Sequence, residues 1–138
     1  MTIVAISGHF DPFHDMHLDY IKQALCHGDH LICIVSSDNQ LLMKKNKVNI
    51  PEQGRLEIVD LVLKGLNVVH ETVLNIYDTD TTLITKVLEV LKPDVLCRGG
   101  DKSLENMPID EQKVCRALGI KVVYAEFRAN RHGADIVL

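Results

Sequence analysis

Two kinds of apolar pattern alternate along this chain. Short continuous runs suit strands buried on both faces, and longer stretches with apolar residues every three or four positions suit amphipathic helices. Residues 3–6 (IVAI) predict a first strand, stopped by Ser7 and Gly8. Leu18, Ile21 and Leu25 repeat at helical spacing and predict a helix over residues 17–25. Residues 30–35 (HLICIV) form an uninterrupted run of strand length. Residues 36–50 are polar and lysine-rich and are expected to form a loop. Pro51 can occupy the first position of a helix whose buried side would be Leu56, Val59, Val62 and Leu63. Val68 and Val69 mark a third strand, and residues 79–91 a helix that must end before Pro93. Residues 95–97 are expected as a fourth strand, 112–118 as a last helix closed by Gly119, and 121–124 as a fifth strand.

Strands that alternate with helices predict an α/β fold, a doubly wound five-stranded parallel sheet of Rossmann-like form, with residues 1–138 as one domain. No internal repeat or low-complexity linker interrupts it. Ligands of such sheets bind beyond the carboxyl ends of the strands, where the strand order reverses. The chemistry is therefore expected in the loops after strands one, two and four, at residues 8–15, 36–50 and 98–107.

Composition narrows the classes of function. The chain has 138 residues, 46% hydrophobic and 25% charged, as in ordinary globular domains. Fifteen Lys and Arg against 19 acids give a net charge of −4, a poor match for bulk nucleic-acid or acidic-lipid binding. Aromatics are only 4% with no Trp, which disfavours base-stacking modules. No apolar run approaches the roughly 20 residues of a membrane span, and the start carries no basic leader, so a cytoplasmic protein is expected. Cys26, Cys33, Cys97 and Cys115 show no C-x-x-C spacing and are expected to be structural thiols.

The first loop carries the most unusual text, Gly8-His9-Phe10-Asp11-Pro12-Phe13-His14-Asp15-Met16-His17. A glycine directly after a strand allows close backbone approach to a ligand. The free N–H groups of the following helix favour phosphate. His14 and His17 are three apart, on one face of a helical turn, where imidazoles can donate to phosphate oxygens in either charge state. The same text also fits a plain helix start with surface histidines. A metal reading lacks further ligands at companion spacing, and G-x-G-x-x-G is absent.

This stretch resembles the GTFDPxHxGH motif of the cytidylyltransferase-like nucleotidyltransferases, in the place where that family carries it. Lys44, Lys45 and Lys47, then Arg55, resemble the family's lysine-bearing loop and helix-start arginine. The text from Asp78 to Asp101, ending Arg98-Gly99-Gly100-Asp101, is most similar to heptose-phosphate adenylyltransferases. The resemblance extends to about Phe127. It implies in-line attack by a phosphorylated acceptor on the α-phosphorus of ATP or CTP, Mg²⁺ accompanying the nucleotide, with pyrophosphate leaving. It also implies roles: His14, His17 and Lys44 catalytic; Gly8, His9, Phe10, Asp11, Gly99, Gly100, Asp101 and Arg128 on the nucleotide; Lys45, Lys47 and Arg55 on the acceptor phosphate. No resident metal, nucleic-acid or membrane partner is implied, and a homodimer is admissible.

Three departures stand out. His9 replaces the family's usual Thr or Ser, and Met16 its glycine. The C-terminal Ser/Thr motif is absent, and Arg128, Arg131 and His132 are the candidates to supply positive charge instead. If these three have taken over triphosphate binding, nucleotide affinity should fall as pH rises from about 6 to 8, a trend that His9, His14 and His17 could also produce. Two further readings stay open: a nucleotide-binding module without turnover, and a flavodoxin-like interaction domain with incidental histidines.

Overall fold

Alternating side chains of the central strands pack against helices on both sides of one sheet, and this double burial sets the architecture. The computed structural model describes residues 1–99 and 106–126. The strands are β1 (Ile3–Gly8), β2 (His30–Val35), β3 (His70–Leu74), β4 (Val95–Arg98) and β5 (Lys121–Tyr124). The helices are α1 (Asp15–Ala24), α2 (Asp38–Lys45), α3 (Glu52–Gly65), α4 (Thr85–Leu91) and α5 (Ile109–Leu118). All strand pairs are parallel, in the order β3-β2-β1-β4-β5.

Val4 and Ile6 of β1, with Leu31, Cys33 and Val35 of β2, face α1 and α3 through Ile21, Ala24, Val59 and Leu63. Ala5, Ile32, Ile34 and Leu96 face the other way, toward Val87 and Leu88 of α4 and Cys115 of α5. Each Val, Leu or Ile among them contributes about 1.5–3 kcal/mol through burial. Chain order runs outward from β1 through β2 to β3, then returns to β4 on the other side of β1. The sheet therefore reverses between β1 and β4, which pair through Val4–Val95 and Ala5–Leu96. The carboxyl ends at Gly8 and Arg98 border that point.

Local details differ from the sequence expectations. Residues 36–50 are not a plain loop, because α2 lies inside them. Ser37 caps it, its Oγ accepting from the Gln40 N–H at 3.1 Å, and Asn46 ends it in the left-handed region at φ 60°. Asp38 opens the helix and Lys44 and Lys45 close it, as the helix dipole favours. The third strand lies at His70–Leu74 rather than at Val68 and Val69. The fourth helix starts at Thr85, six residues later than expected, and its cap is remote: the buried Asp78 carboxylate accepts from the Lys86 and Val87 N–H groups at 2.9 and 3.1 Å. The first helix begins at Asp15, the last at Ile109, and Pro51 sits just before α3 rather than inside it. Cys33, Cys97 and Cys115 are buried free thiols, whereas Cys26 is exposed. No described helix is long and apolar enough to cross a membrane.

Candidate active site

A cleft of about 300 Å³ opens at the reversal point. Ser7, Gly8 and His9 from the end of β1 line one wall, Ser36, Gln40 and Lys44 another, and Arg98 and Gly99 at the end of β4 a third. Three of the regions singled out by sequence thus meet in one place. Lys44 reaches it because α2 places the lysine in its last turn. Tyr20 of α1 closes the cleft beneath, its hydroxyl donating to the Cys97 carbonyl, and burial holds the phenol pKa well above its usual value.

His14 and His17 come together at the start of α1, although only His17 is inside the helix. His14 is the N-cap of α1, with extended backbone, and His17 is the third helical residue. The Met16 N–H donates to His14 Nδ1 at 3.2 Å, and the His14 N–H donates to His17 Nδ1 at 3.2 Å. The two rings stack with centroids 4.1 Å apart. A nitrogen that accepts carries no proton, so in both neutral rings the hydrogen sits on Nε2. The pair is therefore a reciprocal cap that leaves two Nε2–H donors. Neither histidine is among the residues lining the cleft, although His9 is near enough to act on His17. Burial, then His14 and His9, push the His17 pKa down to about 4. Its environment therefore favours the neutral ring in the free protein.

Two residues assigned to the nucleotide by resemblance have structural roles here. Phe10 is 1% exposed and lies at φ 52°, its ring against Phe13 and edge-on to His17 at 4.9 Å. Asp11 accepts from the Asn49 and Ile50 N–H groups at 2.8 and 2.6 Å, pinning the chain between α2 and α3 to the first loop. Gly8 lines the cleft, yet a Cβ there would stand 3.0 Å from the Phe10 ring. Its missing side chain thus makes room for phenylalanine as much as for a ligand.

Arg55 departs furthest from expectation. It is fully buried, not poised over an acceptor. Nε donates to the Ile50 carbonyl at 2.8 Å, and Nη1 to the carbonyls of His9 at 3.0 Å and Ser36 at 2.7 Å. Nη2 bonds the Asp38 carboxylate at 2.8 Å. The guanidinium ties β1, β2, α2 and α3 together beneath the site. Lys45 and Lys47 are exposed and do not line the cleft, but Lys45 lies close enough to His9 to depress its pKa. Gly100, Asp101, Arg128, Arg131 and His132 lie outside the described residues.

Sequence reasoning missed several cleft residues. Ser36 and Arg98 had a usable signal, being the first residue after β2 and the last of β4. Gln40, Asn75 and Glu111 had none. Gln40 is buried, its Nε2 donating to the Thr81 and Leu83 carbonyls, both at 3.0 Å, and Glu111 accepts from the Ile84 N–H at 3.1 Å. These contacts span 27 to 43 residues of chain. The arrangement gives a cationic lip at Lys44 and a polar floor, suited to a phosphorylated ligand with hydrogen-bonding groups.

Comparisons with known proteins agree with this geometry. A sequence model described as cytidylyltransferase-like matches residues 5–133. An FAD synthase from Methanosarcina mazei is 31% identical over 123 residues, covering 89% of this chain and 76% of that protein. The bifunctional protein HldE of Shewanella denitrificans is 32% identical over 121 residues, 88% of this chain but 24% of its own length. A lipopolysaccharide core biosynthesis protein from Thermoplasma volcanium GSS1 superposes with a TM-score of 0.72 at 24% identity, covering 93% of this chain and 98% of that one, a likeness of fold.

Proposed function

The chain belongs to the cytidylyltransferase-like family, and on that premise we propose that it transfers a nucleoside monophosphate from ATP or CTP to a small phosphorylated acceptor, releasing pyrophosphate. The observation that carries the reading is the cleft at the β1–β4 reversal, with Lys44, His9 and Gly99 on its walls. Relatives named FAD synthase favour ATP, since FAD contains an adenylyl group.

Attack of an acceptor phosphate oxygen on the α-phosphorus needs alignment of two anions and neutralisation of charge on the departing pyrophosphate. Lys44 would meet that charge, and the Nε2–H groups of His14 and His17 would donate to phosphate oxygens. Lys45, the last residue of α2, and Lys47, just beyond it, are both exposed and would draw the acceptor phosphate in. Gly99, Gly100 and Asp101 would border the base, and Arg128, with Arg131 and His132, would take the place of the absent Ser/Thr motif at the triphosphate. Among the described residues no cluster of three His, Cys, Asp or Glu side chains could hold a metal. Mg²⁺ would enter on the nucleotide phosphates and supply further charge neutralisation there. A cytoplasmic setting fits such substrates.

The test is a matrix of ATP and CTP against sugar phosphates, glycerol phosphate and FMN, with pyrophosphate release as readout. Release with one nucleotide–acceptor pair is expected. A nucleotide-induced thermal shift without release from any pair would identify a binding module instead.

A further inference from the structure

His9 is the cleft residue whose chemistry the proposed transfer leaves unused. Its ring is half-buried, with Nδ1 2.8 Å from Ser36 Oγ. Ser36 has a single hydroxyl hydrogen, and its Oγ lies 3.2 Å from the Gly8 carbonyl in donor geometry. Both bonds form only if Ser36 donates to Gly8 and accepts from His9, which places the ring proton on Nδ1. The opposite tautomer forfeits one of them. Nε2 of the neutral ring is then a bare lone pair. It has no partner among the described residues, and it is not among their buried, unpartnered polar atoms, so solvent in the cleft reaches it. This is the reverse of His14 and His17, whose Nε2 atoms bear hydrogens.

We infer that His9 is a proton acceptor in the transfer step, its bare Nε2 taking the proton of the attacking acceptor group. The inference rests on the transfer reading. It fits an acceptor that arrives as a monohydrogen phosphate. As the acceptor oxygen bonds to the α-phosphorus, the bond from that phosphorus to the β-bridging oxygen breaks. Its electron pair leaves with pyrophosphate, and the acceptor's P–OH proton passes to Nε2. The imidazolium then returns the proton to water.

The groups around the ring favour its neutral form. Burial acts most strongly, followed by Lys45 of α2, Arg55 of α3 and Lys44 of α2, opposed by Asp11 of the first loop; together they lower the pKa below its usual value. His17 of α1 is also nearby. A base that stays unprotonated at neutral pH can accept a proton in every turnover.

The experiment combines pH–rate profiles of pyrophosphate release with ring-nitrogen NMR of the free protein. Wild type should show kcat falling only on the acid side of the ordinary imidazole range, as His9 protonates. His9→Gln should lose about 10²-fold in kcat at pH 7.5, with KM nearly unchanged, and should lose the acid limb. Ser36→Ala removes only the hydroxyl; it should lower kcat and let the Nε2–H tautomer appear. A His9→Gln variant with unchanged kcat, or with an effect confined to KM, would overturn the assignment. So would nitrogen shifts placing the proton on Nε2 in wild type, whatever its turnover. Absence of release from every wild-type pair would instead overturn the transfer reading, while NMR still decides the tautomer.

Discussion

The backbone carbonyl of His9 sits 3.0 Å from Nη1 of Arg55, a guanidinium with no exposed surface. The same nitrogen holds the Ser36 carbonyl at 2.7 Å, so one buried cation sets the spacing of the loops after β1 and β2. Those two loops supply the His9–Ser36 pair. Site geometry therefore depends on a residue that does not line the cleft.

Arg55→Met should accordingly act on stability first. It leaves three carbonyls and the Asp38 carboxylate without their donor; removing one partner of a buried ion pair costs about 3–5 kcal/mol, and a loss of at least that order is expected. Arg55→Lys keeps the charge but not the planar fork, and should recover only part of it. Urea unfolding measures both. A loss under about 1 kcal/mol, with a raised KM for the acceptor, would return Arg55 to a substrate-binding role.

Stability should fall in mild acid through His17. Its folded pKa, about 4, lies below the unfolded reference near 6.5. Above pH 6.5 the ring is neutral in both states and the folded state carries no penalty. As pH falls from about 6.5 to 4, the unfolded chain binds a proton that the folded chain refuses, and folding weakens. The full penalty is on the order of 3 kcal/mol. Below pH 4 this contribution stops growing. His17→Gln should flatten the stability profile between pH 6.5 and 4 relative to wild type, and an unaltered slope would refute the assignment.

Lys44 and Lys47 should separate in kinetics despite being three residues apart. Lys44 lines the cleft and Lys47 does not. Lys44→Ala should lower kcat for pyrophosphate release by about 10²–10³, the usual cost of losing a group that meets developing charge. Lys47→Ala should mainly raise KM for the acceptor, more at low salt than at high. Equal effects on kcat would show that the helix position of Lys44 confers no special role.

Asp78→Ala should destabilise the protein and loosen the wall of the cleft. The carboxylate is completely buried, caps α4 through two N–H groups, and accepts from Asn75 Nδ2 at 3.0 Å. A loss of about 2–4 kcal/mol is expected, with faster hydrogen exchange at Lys86 and Val87. Protection unchanged at those two amides would contradict the remote cap.

The runs of β1, β2, β4 and β5 and the helix stripes were legible in the sequence, because period and burial are local properties, whereas the edge strand β3 falls after the Val68–Val69 pair expected to form it. The uninterrupted run of β2 announces a strand covered on both faces, and it is the second strand from the edge in a doubly covered sheet. The capped helix α2 was also written locally, in Ser37, Asp38 and Asn46, but lysine density obscured it. The first-loop motif pointed to the end of β1, where Gly8 and His9 line the candidate site. It did not divide the labour within it, since Gly8, Phe10, Asp11, His14 and His17 are equally prominent in sequence. Only the tertiary structure assigned Phe10 to the core, Asp11 to the chain at Asn49 and Ile50, and the two histidines to a mutual cap. It likewise buried Arg55 and brought Ser36 against His9, 27 residues apart. A hydrogen-bond partner is chosen by which loops the packed sheet brings within about 3 Å, and no local pattern of residues encodes that distance.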